Sequence, residues 1–338
     1  MTAEKLVPVT VVTGFLGSVK TTLLNYILKE NHGKRIAVIE NEFGEVGVDD
    51  GLVMQTQEEV FEMNNWCICC TVRADLIRIL HKLLKRKHQF DAILIETTGL
   101  ADPAPVAQTF FVDGELKERV RLDAILTVVD ARHITHHLDK EVEEGAENEA
   151  VEQVAFADRI LLNKTDLVTA EEKEAVVKRL KAINAAAEII ECQHARCDLA
   201  RLLGIRAFSL DRILQEEPAF LDEGAEHTHS PDVTSVGIEA EGELDFAKVQ
   251  RWLGALMRER GADIFRSKGI LSFRGSDDKW ARVPGVHMLL AFSSSGEGVG
   301  RPWAPDEKRV NRLVFIGRKL DRQELNDSFR ACLAAPAA

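Results

Sequence analysis

Three of the chain's six cysteines lie within four residues, at positions 67, 69 and 70. Thiolate sulfur is a good zinc ligand, and the spacing of Cys67 and Cys70 is typical of a turn that brings two sulfurs together. Cys69 adds a third sulfur, and the carboxylates of Glu40 and Glu45 can complete a four-coordinate site. The segment is therefore a candidate metal site. A cluster of free thiols and a reversible disulfide between Cys67 and Cys70 are the alternative interpretations.

A glycine-rich segment, GFLGSVKT at positions 14–21, lies between a β-branched run and a helical pattern. In that position, backbone N–H groups and the helix N-terminus bind phosphate. We expect Lys20 to reach the β- and γ-phosphates and the Thr21 hydroxyl to bind Mg²⁺. Val19 stands where the motif has glycine, and its branched side chain crowds the phosphate path and disfavours a positive φ. A loop with impaired nucleotide binding is therefore an alternative.

Two later segments complete a nucleotide site. Glu96 ends the apolar run AILIE, where its carboxylate can hold the Mg²⁺ shell, and Gly99 can donate its N–H to the γ-phosphate. The segment NKTD at positions 163–166 follows the apolar run RILL. Asp166 selects guanine, because a carboxylate accepts two N–H bonds from guanine and adenine lacks that donor pair. Asn163 braces the loop, and the stem of Lys164 covers the face of the base.

These motifs together predict that the chain binds and hydrolyses GTP with Mg²⁺ and also binds Zn²⁺. We assign the catalytic roles to Lys20, Thr21 and Glu96. The predicted nucleotide-binding residues are Gly14, Gly17, Ser18, Lys20, Thr21, Thr22, Gly99, Asn163, Lys164 and Asp166. The predicted metal ligands are Cys67, Cys69, Cys70, Glu40 and Glu45, with Thr21 as a ligand of Mg²⁺. No residue identifies itself as the group that orients the attacking water, so we expect slow turnover in the metal-free protein.

Two other groups of residues are weaker candidates. Cys192 and Cys197 could form a second metal site, although a buried strand end and a loop thiol are the simpler interpretation. His133, His136 and His137 could approach a substrate or a metal, although a partly exposed helix face is the simpler interpretation.

The bulk properties exclude several classes of protein. The 338 residues carry a net charge of −12, and nucleic acid is not an expected partner, because phosphate binding needs a basic face. The first residues lack the pattern of a signal peptide, and no stretch approaches the roughly 18 apolar residues that span a bilayer. We therefore expect no membrane partner and a cytoplasmic, reducing location, in which cysteines serve as thiols or metal ligands.

Short β-branched runs alternate with amphipathic helical patterns over the first two-thirds of the chain. Runs that are apolar on both faces are typical of buried strands in a parallel sheet. The alternation predicts an α/β fold with the doubly wound, mostly parallel sheet of a P-loop GTPase. The predicted strands are Val7–Thr13, Arg35–Glu40, Ala92–Glu96, Ala124–Val129, Arg159–Leu162 and Glu188–Glu191, and the predicted helices are Thr22–Lys29, Asp75–Lys87 and Glu171–Ile183.

An acidic segment without periodicity, residues 216–233, indicates a linker between two domains. We expect a GTPase domain over residues 1–215 and a smaller α+β domain over residues 234–338, where consecutive strand patterns favour an antiparallel sheet. The predicted elements of the smaller domain are the strands Thr234–Ala240, Ile264–Phe273, Val286–Phe292 and Arg312–Ile316 and the helices Phe246–Arg258 and Asp321–Leu333, the last capped by Asp321.

The motifs, in their order along the chain, resemble those of the CobW-like P-loop GTPases. The matching segments are GFLGSVKTTLLN, IENEFGE, CICCT, ETTGLADPAP and NKTD, followed by KGILSF, GVHM and NRLVFIG in the C-terminal part. The resemblance covers residues 7–333 and points to the zinc chaperone branch. It implies a metallochaperone that binds Zn²⁺ at the cysteine motif and delivers it to a client metalloprotein under the control of GTP.

Two positions depart from the family pattern. Val19 replaces a glycine, which puts the affinity for GTP and its turnover in question, and Trp66 stands where the family has glycine before the first cysteine. The sequence leaves two alternatives open. One is the same machine serving cobalt or iron, because thiolates do not exclude those metals. The other is a zinc-binding module whose nucleotide site is impaired.

Overall fold

The computed structural model describes residues 6–30, 33–41, 60–63, 71–85, 90–140, 148–207, 233–261, 263–277, 280–286, 291–293, 303 and 308–334. The chain divides into two compact units. One comprises Met1–Lys178 and Ala187–Phe208, and the other comprises Arg179–Ala186 and Ser209–Ala338.

A parallel sheet of seven strands forms the centre of the first unit. Its strands are β1 (Val7–Thr13), β2 (Ile36–Asn41), β3 (Val60–Met63), β4 (Ala92–Glu96), β5 (Val120–Asp130), β6 (Arg159–Asn163) and β7 (Glu188–Glu191). The strands lie in the order β3-β2-β4-β1-β5-β6-β7. Because every pairing is parallel, the carboxyl ends of all these strands lie at one edge of the sheet.

Helices follow β1, β3, β4, β5 and β6 along the chain, as the crossovers of a parallel sheet require. They are α1 (Lys20–Lys29), α2 (Thr71–Leu84), α3 (Ala104–Val112), α4 (Gly114–Arg119), α5 (Ile134–Leu138), α6 (Glu149–Phe156) and α7 (Ala170–Ile183). Of these helices, only α7 has residues in both units. Side-chain caps start two of them. Asp113 accepts from the N–H of Leu116 at the start of α4, and Asn148 accepts from the N–H groups at the start of α6.

Core packing holds the strands and the helix whose ends carry the predicted motifs. Strands β4 and β6 are buried along their whole length. Helix α1 packs Leu23, Leu24 and Ile27 against them and their neighbours, and none of the three is exposed. Each such side chain contributes about 1.5–3 kcal/mol to the stability of the fold. The register then places Glu96 beside Val12, and Asp130 beside Asn163, at the carboxyl edge.

The second unit is an antiparallel sheet with two described helices. Its strands are β8 (Val233–Glu241), β9 (Ile264–Leu271), β10 (Trp280–Val286), β11 (Ala291–Ser293) and β12 (Val310–Arg318), in the order β11-β10-β9-β12-β8. Helices α8 (Phe246–Arg260) and α9 (Arg322–Arg330) pack on it. Trp252 of α8 lies against the rings of Phe315 and Phe329, with centroids 6.1 and 5.3 Å away.

The predicted fold class is confirmed, and the differences concern particular elements. Helix α2 begins four residues earlier than predicted, at Thr71, and ends at Leu84. The single strand predicted over Val286–Phe292 is wrong, because β10 ends at Val286 and β11, which begins at Ala291, pairs with β10 in the antiparallel sense. Asp321 caps α9 as predicted, accepting from the N–H of Glu324, but the helix ends at Arg330. Residues 216–232 of the predicted linker lie outside the described residues, and β8 begins at Val233.

Among the described residues, no helix combines the length and the apolar character needed to cross a bilayer.

Candidate nucleotide site

The loop between β1 and α1 has the backbone geometry of a phosphate cradle. Gly14 has a φ of 141°, and a Cβ atom at this position would lie 2.2 Å from the carbonyl oxygen of Val128. Gly17 has a φ of 78°, which L residues rarely adopt. The loop therefore requires glycine at position 14 and favours it at position 17. The N-terminus of α1 has no side-chain cap and no acidic residue in its first turn, so its N–H groups remain available to an anion.

Lys20 lies buried at the base of this loop. Its side chain donates from Nζ to the carbonyl oxygen of Gly14 over 2.8 Å, and the residue is 8% exposed. Burial lowers the pKa of Lys20, and the carboxylate of Glu96 opposes that shift. A polyphosphate in the loop would supply further negative charge and favour the ammonium form. The cost of burying the charged ammonium at this position would therefore be offset by the negative charge of a bound polyphosphate.

Thr21 and Glu96 meet across the loop. The Thr21 hydroxyl donates to Oε1 of Glu96 over 3.2 Å. The neighbouring residue Thr97 is held in place by its own hydroxyl, which donates to Oγ1 of Thr13 over 2.8 Å. A hydroxyl and a carboxylate that converge beside a phosphate loop are the oxygen donors that Mg²⁺ prefers. The residues present therefore fit Mg²⁺, which would neutralise charge on the phosphates.

Ser18 carries a polar atom that the described fold leaves unsatisfied. The residue is 1% exposed, and among the described residues its Oγ has no hydrogen-bond partner. A buried hydroxyl without a partner is uncommon, because it loses its hydrogen bonds to water on burial.

Gly99 lies close to the same loop, since a Cβ there would lie 2.8 Å from the backbone nitrogen of Leu16. The backbone after β4 thus contacts the phosphate loop. This agrees with the predicted role of Gly99 as a backbone donor to the γ-phosphate.

The second half of the predicted site lies at the ends of β6 and β7. Oδ1 of Asn163 accepts from the N–H of Ala195 over 2.9 Å, so Asn163 braces the neighbouring turn. Within the described part of the chain, Nδ2 of Asn163 is buried and has no acceptor. The ring nitrogens of a purine are acceptors of the kind that this donor lacks. Asp166 lies in a short 3₁₀ turn (Thr165–Leu167) and is exposed, free to meet a base edge.

Lys164 links the two halves of the site. Its backbone is left-handed, with a φ of 59°. Its Nζ donates to the carbonyl oxygen of Gly17 over 3.0 Å and to Oδ2 of Asp130 over 2.7 Å. The lysine stem therefore runs from the 3₁₀ turn to the phosphate loop, as a side chain that covers a bound base would do. The predicted residues of the phosphate loop, of the end of β4 and of the end of β6 thus come together at one edge of the sheet.

The predicted zinc ligands lie mostly outside the described residues. Cys67, Cys69, Cys70 and Glu45 belong to segments that the structure does not describe, and of Glu40 only the backbone, in β2, is described. The register still locates the start of the cysteine segment. Glu40 pairs with Glu62 in β3, and β3 ends one residue later, at the same edge as the phosphate loop. Because β3 and β1 are three strand spacings apart in the sheet, about 14 Å separates the strands at that edge.

Cys192 and Cys197 do not form a metal site in the described fold. Both pack against the same apolar core, and no cluster of three histidine, cysteine or acidic side chains suited to a metal occurs among the described residues. Burial, with a contribution from Cys197, raises the pKa of Cys192 to about 12. Burial likewise raises the pKa of Cys197 to about 11. Both thiols therefore stay protonated at neutral pH and are poor ligands, because the thiolate is the form that binds metal.

The histidines after β5 form a helix face, as the simpler interpretation has it. The ring of His137 in α5 packs against Phe15 of the phosphate loop, with centroids 4.1 Å apart. Burial and the neighbouring His136 lower the pKa of His137. His133 instead lies within 3.0 Å of Oδ2 of Asp130.

Sequence reasoning missed two residues that contact the site. Asp130 accepts from Lys164, and Gln153 of α6 donates from Nε2 to the carbonyl oxygens of Gly99 and Ala101, each over 3.1 Å. The position of Asp130 at the carboxyl end of a buried strand was a usable signal, because Asn163 and Glu96 occupy the same kind of position. Gln153 gave no such signal, since it lies inside an ordinary amphipathic helix.

The fold and the site together define a P-loop nucleotide-binding protein of the GTPase class. Residues 8–191 match the model of the CobW/HypB/UreG nucleotide-binding domain, and residues 233–333 match that of the C-terminal domain of the cobalamin synthesis protein CobW. The chain belongs to the CobW/HypB/UreG family, which confirms the resemblance found in the sequence.

Similar proteins cover nearly the whole chain. The zinc chaperone YjiA of Escherichia coli (strain K12) is 38% identical over 328 residues, which are 96% of this chain and 98% of the relative. The zinc-regulated GTPase metalloprotein activator 1 of Schizosaccharomyces pombe is 35% identical over 352 residues, covering 94% of this chain and 83% of the relative. The crystal structure of the Zn(II)-bound YjiA GTPase from E. coli has a TM-score of 0.75 at 34% identity, covering 98% of this chain and 100% of that chain.

Val19 adopts the strained conformation that its side chain disfavours. Its φ of 70° and ψ of 43° are left-handed, and left-handed backbone costs an L residue roughly 1–2 kcal/mol. The side chain is partly buried against the core of the first unit. The strain persists because the loop on one side and helix α1 on the other fix the backbone here.

Replacing Val19 by glycine is expected to raise the affinity for GTP about tenfold, because glycine adopts the left-handed backbone of this turn without strain and lets the loop close around the phosphates. The free energy of unfolding should change by less than about 1 kcal/mol, since relief of strain is offset by lost packing and by the entropy of glycine in the unfolded chain. Fluorescence titration with a labelled GTP analogue and thermal unfolding measure the two effects. Val19→Ala is the matched control, because it removes the branch and keeps the Cβ. Equal affinities in all three proteins would show that Val19 does not obstruct the loop.

Proposed function

We propose that this chain is a GTP-dependent zinc chaperone. The GTPase site consists of the phosphate loop with Lys20 and Thr21, of Glu96, and of the base-binding residues Asn163, Lys164 and Asp166. Zn²⁺ is the cargo, bound by Cys67, Cys69 and Cys70 with help from Glu40 and Glu45. The relatives named as zinc chaperones or zinc-regulated GTPases support this proposal, since they match almost the entire chain.

One observation carries the link between the two sites. The chain leaves β3 at Met63 and enters α2 at Thr71, and the three cysteines are in the seven residues between. Strand β3 ends at the edge of the sheet where the phosphate loop, Glu96 and Gly99 also lie. In GTPases, the presence or absence of the γ-phosphate orders or releases nearby segments. A segment that begins at this edge is placed to change its geometry with the state of the nucleotide.

The chemical roles follow from the contacts of the described residues. Lys20 and the N–H groups of the loop neutralise the charge of the phosphates, and Mg²⁺ bound at Thr21 and Glu96 would supply further neutralisation. None of the described residues stands out as the one that orients the attacking water. Slow turnover without metal or client is therefore the expected behaviour of the isolated protein.

The proposal extends to the organisation of the chain and to its partners. Residues 1–215 form the GTPase domain, residues 216–233 a linker, and residues 234–338 the domain on which a client metalloprotein docks. The client receives zinc, and neither nucleic acid nor a membrane takes part. A reducing cytoplasm suits the three thiols, because they must stay free of disulfides to bind metal.

Two alternatives remain within the same chemistry. Cobalt or iron could be the cargo, although soft thiolate ligands favour zinc. A zinc-binding module without nucleotide control is motivated by the backbone strain at Val19. The first alternative predicts a different preferred metal, and the second predicts that nucleotide does not change the affinity for metal.

The test is the Zn²⁺ affinity of the full chain, measured by competition with a chelating dye with and without the slowly hydrolysed analogue GTPγS and Mg²⁺. We expect GTPγS to change the Zn²⁺ dissociation constant by about tenfold, within the usual range of coupling free energies. The Val19→Gly variant is measured in parallel. Coupling in the variant alone would mean that Val19 disables the switch, and no coupling in either protein would favour the zinc-binding module. Co²⁺ and Fe²⁺ in the same assay decide between the metals.

A further inference from the structure

Asp130 is a buried carboxylate at the centre of the nucleotide site. It ends β5, pairs in register with Asn163 and is 8% exposed. Its Oδ1 accepts from the backbone N–H groups of Arg132 and His133 over 2.9 and 3.3 Å. Its Oδ2 accepts from Nζ of Lys164 over 2.7 Å and lies 3.0 Å from Nδ1 of His133. The carboxylate is thus held in one orientation from several sides, with one oxygen directed at the lysine.

The lysine is held at two points by this arrangement. Nζ of Lys164 also donates to the carbonyl oxygen of Gly17 in the phosphate loop, over 3.0 Å. Burial raises the pKa of Asp130, but the hydrogen bonds from Lys164, from His133 and from the N–H of Arg132 outweigh that effect and hold the pKa below its usual value. Asp130 is therefore ionised at neutral pH, and its contact with Lys164 is a charge-assisted hydrogen bond.

A lysine side chain has four rotatable bonds, and fixing it on a ligand costs conformational entropy. A lysine that is already fixed before the ligand arrives loses less entropy on binding, so the ligand binds more tightly. The Gly17 carbonyl alone offers a neutral acceptor, which binds an ammonium less strongly than a carboxylate does. The Asp130 contact is therefore the stronger of the two that hold the stem across the site.

We propose that Asp130 is a positioning residue for guanine nucleotide binding, which acts by holding Lys164 in the orientation that covers the base. This inference rests on the proposed function, in which NKTD binds guanine. It assigns to the Asp130 side chain a role on the base and none on the phosphates, because among the described residues its one hydrogen bond with a predicted nucleotide-binding residue is that from Lys164.

The test is a set of GDP dissociation constants for the full chain and three variants, Asp130→Asn, Lys164→Met and the double substitution. Asp130→Asn should weaken GDP binding about tenfold, which is the effect of losing one charged hydrogen bond. In the Lys164→Met background, the same substitution should have no further effect, because its target is absent. An equal loss in both backgrounds would overturn the proposal and show that Asp130 acts on the fold instead.

Two further measurements separate positioning from a general structural effect. Inorganic tripolyphosphate has no base, so Asp130→Asn should leave its binding unchanged, whereas a disturbed phosphate loop would weaken it. His133→Gln is the matched control, since it removes the other side-chain partner of Oδ2 and leaves Lys164 in place. This control should keep GDP binding within about twofold of the parent chain. A loss equal to that of Asp130→Asn would assign the effect to the segment after β5 and overturn the proposal.

The proposed function fails in a different way. Asp166→Asn should shift the preference from GDP to xanthosine diphosphate, because it exchanges an acceptor for a donor at the base edge. GDP binding without that shift would contradict the assignment of NKTD as the base-binding segment. The comparison of Asp130→Asn with and without Lys164→Met tests the role of Asp130 separately from this result. If neither the parent chain nor Val19→Gly binds GDP, the proposed function and this inference are both wrong.

Discussion

Replacing Lys20 by alanine is expected to weaken the binding of GTP by at least about 30-fold, because truncating one partner of a buried charge pair costs about 2–5 kcal/mol. Lys20 is buried, with 8% of the residue exposed, and its ammonium donates to the carbonyl oxygen of Gly14, so it is already located where the phosphates would lie. Without it, the β- and γ-phosphates lose this cation. Turnover should fall with affinity, since the same charge develops further in the transition state.

Isothermal titration with GTP and Mg²⁺, followed by phosphate-release assays, measures both effects. Lys29→Ala is the matched control, because Lys29 lies on the same helix and is exposed at its other end. The control should bind GTP like the parent chain. The apo form of Lys20→Ala should unfold at nearly the same temperature, because burial disfavours the charged lysine there. Unchanged GTP affinity in Lys20→Ala would remove the phosphate loop from the proposed site.

The parts of the fold that follow from local pattern could be predicted from the sequence. Strands such as β4 and β6 are apolar on both faces, and their ends carry the polar residues that make the site. The glycines of the phosphate loop are predictable for the same reason, since the turn between β1 and α1 requires positive φ at Gly17. The backbone strain at Val19 was also predictable, because the motif fixes a left-handed backbone at this position regardless of which residue occupies it.

Contacts between distant segments could not be predicted in this way. The hydrogen bond from Lys164 to Asp130 joins residues 34 positions apart, and that from Gln153 to Gly99 spans 54. Such pairs depend on strand order, which no local pattern encodes. The short strand β3 was missed because its residues, VFEM, include a charged one and lack a β-branched run. The element is formed by its parallel pairing with β2 at the end of the sheet order.

Replacing Cys67, Cys69 and Cys70 together by serine is expected to weaken the binding of Zn²⁺ by at least about 1,000-fold, because thiolates supply most of the binding free energy of a site rich in cysteine. In zinc-free buffer, the affinity for GTP should stay within about twofold of the parent chain, since the described phosphate and base contacts do not involve these residues. Competition with a chelating dye measures the first effect and titration with labelled GTP the second. Retained GTP binding also shows that the variant is folded.

The remaining cysteines provide the matched control for that experiment. Cys197→Ser removes a thiol whose pKa burial raises to about 11, and which therefore stays protonated at neutral pH. Its backbone carbonyl, which accepts from the hydroxyl of Tyr26, is unchanged by the substitution. The control should bind Zn²⁺ like the parent chain. If the control loses zinc and the triple variant keeps it, the metal is bound near the ends of β6 and β7. The cargo would then lie beside the base, and nucleotide control would operate through Asn163 rather than through the γ-phosphate.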